Sequence, residues 1–140
     1  RLGSIEIGLH ASPSYLARHG TPESIDALFT HTLVGFDKTT PFILQALKHF
    51  PQLNRERFTV RTDSDVAQLN LIRAGAGIGM CQVQLAYFPV PLERVMPGFF
   101  AYHLDTWLVM HEDLRHSQAC KTVFDFLAEG LQAYINREKR

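Results

Sequence analysis

From Phe58 to Cys81 the apolar period of the chain passes from that of a strand to that of a helix and back, which limits the fold more than any other feature. Phe58 and Val60 alternate with Thr59 and Arg61, as in a strand with one buried face. Asp63 or Ser64 then offers a side-chain oxygen to the unpaired N–H groups of a first helical turn. Val66, Leu69, Ile72 and Arg73 fall on neighbouring turns, so the helix packs on one side, and Gly75 can take the left-handed conformation that closes it. Ile78 to Cys81 opens the next strand. Such a unit sets the helix N-terminus at the carboxyl end of the first strand, where free N–H donors and the helix dipole attract a carboxylate or phosphate. That edge is where open α/β sheets bind ligands. Thr62, Asp63, Ser64 and Asp65 therefore have two readings from spacing alone: they cap a helix, or they also line a small-molecule site.

Gly75, Gly77 and Gly79 superficially match a dinucleotide fingerprint, but they end a helix and open a strand, whereas the fingerprint follows a strand and opens a helix. They are read as turn residues, and nucleotide binding is excluded there. With 14 basic and 14 acidic residues in 140, no net charge draws the chain to nucleic acid or to a lipid surface. No apolar run is long enough for a membrane span, and the N-terminus has neither a signal-peptide pattern nor an initiator methionine. A soluble cytoplasmic piece of a larger protein is expected, with Cys81 and Cys120 as free thiols.

Taken in order, Ile5, Ile7 and Leu9 predict a strand, followed by a helix capped by Ser12 with Pro13 at its first position and Gly20 at its end. Thr21, Pro22 and Glu23 repeat the device of cap, proline and acid. Leu33 to Phe36 predicts a strand, and Asp37 to Pro41 a turn and lobe boundary. A helix opened by Thr40 and Pro41 presents Ile43, Leu44, Leu47 and Phe50 on one face. After the central unit come a short helix within 82–88, a strand within 92–96, and an extended stretch from Phe99 to Met110. Trp107 to Met110 reads as a strand buried on both faces. The longest helix follows Ser117, with Cys120, Val123, Phe124, Leu127, Leu131, Tyr134 and Ile135 on one face, and Asn136 to Arg140 forms a charged end expected to fray.

Chemistry beyond binding has weak support. The fifth position from His111 is Arg115, so His111 and Glu112 are not a zinc helix; with Asp113 and His116 they read as a solvated loop. Cys81 with a distant histidine is a formal nucleophile pair of the kind any such chain offers. No metal and no cofactor are expected.

Ala-Ser-Pro-Ser-Tyr-Leu-Ala-Arg-His-Gly at 11–20, Arg-Thr-Asp-Ser-Asp at 61–65, Arg-Ala-Gly-Ala-Gly-Ile-Gly at 73–79, Leu-Val-Met-His-Glu-Asp-Leu-Arg at 108–115 and Val-Phe-Asp-Phe-Leu at 123–127 occur in a telling order. In that order they resemble the C-terminal part of the effector-binding domain of LysR-type transcriptional regulators. The resemblance implies a periplasmic-binding-protein-like (type 2) α/β fold of two Rossmann-like lobes, truncated at its N-terminus. It implies that 1–37 and 104–140 belong to an incomplete lobe one and 38–103 to lobe two, with crossing strands near 34–38 and 100–106. It further implies a small inducer in the inter-lobe cleft, a carboxylate being one candidate, with Thr62, Asp63, Ser64 and Asp65 facing it and Ser12 and Phe36 as further contacts. Homo-oligomers, dimer or tetramer, and DNA contact only through an N-terminal domain absent from this chain are implied too. Cys81 and Gln82 depart from the family, in which an apolar residue and proline are common there. An incomplete lobe one would leave an unpaired sheet edge open to a partner chain. The alternatives are a solute-binding module or an enzyme on the same scaffold, the latter using Cys81 or the 111–116 loop.

Overall fold

A computed structural model describes residues 1–137; the rest of the charged end, 138–140, lies outside the described residues. The elements run β1 (Gly3–Ala11), α1 (Pro13–His19), α2 (Ile25–Leu28), β2 (Leu33–Gly35), α3 (Pro41–Leu47), β3 (Val60–Arg61), α4 (Asp65–Arg73), β4 (Ile78–Gln82), β5 (Glu93–Val95), β6 (Ala101–Thr106) and α5 (Gln118–Ile135). Short polar side chains set the helix starts as the sequence predicts. Ser12, Thr40, Ser64 and Ser117 accept from the amides of Tyr15, Ile43, Ala67 and Cys120 at 3.1, 3.3, 3.2 and 3.4 Å. The Thr21-Pro22 device does not operate: Ser24 caps α2, accepting from the Ala27 amide at 3.1 Å.

The strands form one mixed sheet in the order β3-β2-β4-β1-β5, with β6 also paired to β1. β2 is parallel to both β3 and β4, while β1 runs antiparallel to β4 from Ile7 opposite Gln82 to His10 opposite Gly79. Along its other edge β1 pairs first with β6, Gly3 opposite Thr106 to Gly8 opposite Ala101, and then with β5. Thus β2, from the segment 1–37, lies between β3 and β4 of the segment 38–103, and no break in the sheet separates the two segments. Residues 34 and 35 run in the middle of this sheet, and the strand at 101–106 pairs with β1. Strand partners are set by long-range packing that local periodicity does not encode.

Leu9, Leu28, Leu33, Phe58 and Ile78, each at most 2% exposed, fill one face of the sheet; Ile72, Cys81, Ala86 and Leu92 fill a smaller cluster. Each fully buried side chain of this size stabilises the fold by about 1.5–3 kcal/mol. The glycines permit close approach. A Cβ on Gly35 would stand 2.3 Å from the Phe58 ring, and one on Gly77 2.3 Å from the Thr32 carbonyl oxygen. Gly75 takes φ +80°, the helix-ending conformation its position predicts.

Two expectations fail on burial. Trp107 and Val109 are 63% and 82% exposed and belong to no strand. α5 has no buried residue: Cys120, Phe124, Leu131, Tyr134 and Ile135 are half-buried, while Val123 and Phe126 are 57% and 76% exposed. Its apolar stripe is present, but among the described residues no second layer covers it.

Candidate functional site

At the carboxyl ends of the parallel strands β2, β3 and β4 lies a cavity of 560 Å³, a size suited to a small organic ligand. This is the position where the chain leaves β2 outward to β3 and returns through α4 to β4 on the other side, the crevice that open α/β sheets use for ligands. Phe36 follows β2, Asp63 and Asp65 follow β3, and Cys81 and Gln82 end β4; all line the cavity. Phe42, Ile43 and Leu47 of α3 form a second wall, and Phe100, Tyr102 and Leu104 a third.

The polar turn has a structural task as well. Asp63 Oδ1 accepts from the amides of Lys38 and Asp37 at 2.9 and 3.0 Å, which closes the turn after β2 against the turn after β3. The Lys38 amide, more than the neighbouring Asp37 amide, holds the Asp63 carboxyl below its ordinary range. On the far side of the same turn, Arg55 bonds the Asp37 carbonyl at 2.8 Å and its carboxylate at 2.7 Å. Phe36 is thereby held with its ring 5.0 Å from that of Phe58, 6% exposed on the cavity wall. Ser64 caps α4, the amide of Ser64 donates to Thr62 Oγ1 at 3.3 Å, and Gln68 Nε2 donates to the Thr62 carbonyl at 2.7 Å.

Of the residues singled out from sequence, Phe36, Asp63 and Asp65 meet on the cavity wall, and Thr62 and Ser64 hold the turn behind it without lining it. Ser12 stands apart. β1 runs antiparallel to β4, so its carboxyl end, and Ser12 after it, lies at the opposite edge of the sheet from Gln82. There Ser12 caps α1, 3.1 Å from Ser14 Oγ, and a Cβ on Gly75 at the far end of α4 would lie 3.2 Å from its hydroxyl. The walls from α3 and from 100–104 were missed because they are apolar, and an apolar wall and a core face carry the same sequence pattern. Half-exposed Phe42 on a seven-residue helix with no buried residue is the structural sign of it.

The nucleophile reading fails on chemistry. Cys81 Sγ does meet a histidine, His10 Nδ1, at 3.3 Å, but burial pushes the thiol up to about 12, against the opposing pull of Arg73 and Arg94. A thiol that burial keeps protonated is a poor nucleophile at neutral pH. The 111–116 loop is exposed, with His111 Nδ1 accepting from the Asp113 amide at 3.2 Å. Among the described residues no cluster of three or more His, Cys, Asp or Glu could hold a metal ion, and no helix is long and apolar enough to cross a membrane.

The chain is similar to known proteins over nearly all its length. The model of the LysR substrate binding domain family matches residues 1–132. The regulatory domain of CrgA, a LysR-type transcriptional regulator from Neisseria meningitidis, is 24% identical with a TM-score of 0.65, covering 93% of this chain and 66% of that one. The structure of CrgA itself is 26% identical with a TM-score of 0.66, covering 93% and 46%. The regulatory domain of AphB in Vibrio vulnificus is 18% identical with a TM-score of 0.56, covering 92% and 66%. No curated protein matches. The chain therefore spans between about half and two thirds of the structures it resembles. With a mixed α/β sheet and a cavity at its carboxyl edge, and with the family model matching almost end to end, this chain belongs to the LysR substrate binding domain family and has its periplasmic-binding-protein-like type 2 fold.

Proposed function

We propose that this chain is the effector-sensing part of a LysR-type transcriptional regulator of the cytoplasm, and that a small organic molecule binds in the cavity at the carboxyl ends of β2, β3 and β4. The observation that carries this reading is the cavity itself, which brings Phe36, Asp63 and Asp65 to the edge where such sheets bind ligands. Thr62 and Ser64 serve the site by holding the turn. Ligand in the cavity would bias how this unit closes against its neighbour, and so the arrangement of subunits on DNA. DNA contact belongs to a separate domain, and the working unit is a homo-oligomer.

The pairing of β1 with β6 supports a revised division of lobes. The long antiparallel ladder from Gly3 to Gly8 suits the strands that cross between lobes, with β3-β2-β4-β1-β5 as one lobe and α5 as a piece of the other. The exposed Trp107, Val109 and Phe126 fit an incomplete lobe one that needs further protein to cover it.

A carboxylate ligand would meet one basic and two acidic side chains on the cavity wall. An enzymatic role has no support from Cys81, whose thiol stays protonated. A thermal-shift screen of small organic acids, amino acids and neutral ring compounds tests the reading, run in parallel on Ala46→Trp, which places an indole in the cavity. A ligand that binds the folded state raises its stability by mass action. Hits lost in Ala46→Trp support the reading, and hits unchanged by it contradict the site.

A further inference from the structure

We propose that the cavity is selective for an uncharged ring compound carrying a hydrogen-bond donor, with Gln68 as the residue that reads the donor. This deepens the reading of the cavity as the ligand site and rests on it.

The first observation is where the charges lie. The cavity walls from α3 and β6 and from Met80 and Cys81 of β4 are mostly apolar, Gln82 at the end of β4 is an uncharged amide, and the charged lining groups are Lys38, Asp63 and Asp65. One lysine against two aspartates leaves an excess of one negative charge. Lys38 lies in the field of Asp63, so its charge is already opposed within the protein. A carboxylate would leave water for a mostly apolar wall whose net charge repels it and whose one cation already faces an aspartate, and an anion desolvated without a charge partner is disfavoured. A neutral ring avoids both costs and matches the faces of Phe36, Phe42, Phe50 and Phe100 on the wall.

The second observation fixes the polarity of the hydrogen bond. Gln68 lines the cavity and is 8% exposed. Its Nε2 donates to the Thr62 carbonyl at 2.7 Å, and a carbonyl can only accept, so the orientation of the amide is set by the backbone. The amide oxygen has no hydrogen bond from any described residue. The oxygen is not one of the buried unpaired groups of the described residues, so water reaches it; a ligand that displaces that water and brings a hydroxyl or N–H keeps the oxygen paired, and one that brings a second acceptor does not.

Three probes of one shape separate these features: 2-naphthol, 2-methoxynaphthalene and 2-naphthoate, titrated calorimetrically against the 140-residue chain at pH 7. We expect 2-naphthol to bind about fivefold or more tightly than 2-methoxynaphthalene, the worth of one hydrogen bond, and 2-naphthoate to bind most weakly. Gln68→Met should bring 2-naphthol to the level of the ether. If that variant does not fold, the comparison of the three probes on the native chain stands alone. 2-Naphthoate binding as tightly as 2-naphthol, or the ether matching the naphthol, overturns the proposal while leaving the cavity as the site. Binding that survives Ala46→Trp, or no binding of any probe to a folded chain, overturns the cavity reading and the proposal together.

Discussion

The phenol of Tyr134 donates to Gln82 Oε1 at 2.5 Å, and Gln82 is a wall residue of the cavity. Gln84 Nε2 adds a second tie, to the Ile135 carbonyl at 3.1 Å. Two side chains, one ending β4 and one two residues beyond it, thus hold the last turn of α5, a helix with no fully buried residue. Tyr134→Phe removes the first tie without changing shape. It should cost about 0.5–1.5 kcal/mol, read as faster amide exchange at 131–135. Unchanged exchange there would mean that packing alone seats the helix.

Cys81 should resist thiol reagents in the folded chain. Burial pushes its thiol up to about 12, so almost no thiolate exists at pH 8. In a Cys120→Ser background, labelling by iodoacetamide should be slow until denaturant is added. Labelling at the rate of a free thiol would contradict the buried assignment.

Asp63 should make the fold acid-sensitive. Its folded carboxyl titrates below the unfolded value of about 3.9, chiefly because the Lys38 amide bonds the charged form. A depressed folded value stabilises the chain above the unfolded value, and that contribution is lost as pH falls through the folded one. Asp63→Asn keeps an acceptor but no charge, so it should be less stable than the native chain at pH 7, with the gap closing below pH ~4. Urea unfolding at the two pH values measures this, and a gap independent of pH would contradict it.

Gly35→Ala should destabilise by about 1–3 kcal/mol, the usual cost of overpacking, because its Cβ would stand 2.3 Å from the Phe58 ring. Pairing it with Phe58→Leu should recover part of the loss. Denaturant midpoints of the single and double variants report the coupling, and strictly additive losses would show that the ring is not the obstacle.

What could be read from sequence divides along physical lines. The caps at Ser12, Thr40, Ser64 and Ser117 are local, since each hydroxyl needs only an amide three residues on. The strand, helix, strand unit from Phe58 to Cys81 was legible for the same reason, although the buried face of α4 carries Gln68 and Ile72 while Val66 is 70% exposed. The partners of β2 and the direction of β1 were not legible, because pairing is decided between residues far apart in the chain. Ser12, which the family resemblance implies as a further contact, lies beyond the carboxyl end of β1, away from the cavity. Trp107 to Met110 looked like a buried strand because apolar runs record what could be covered, not what the described residues cover. The cavity walls at Phe42, Phe100 and Tyr102 carried no signal distinct from core.

The central claim is that ligand binds at the carboxyl ends of β2, β3 and β4. The most direct measurement is amide chemical-shift mapping during titration with the strongest binder from the thermal-shift screen. The account predicts shifts concentrated at 36–38, 63–69, 80–82 and 100–104, with Ser12 and α1 unmoved. Shifts centred on α1, or on the exposed apolar face of α5, would contradict it.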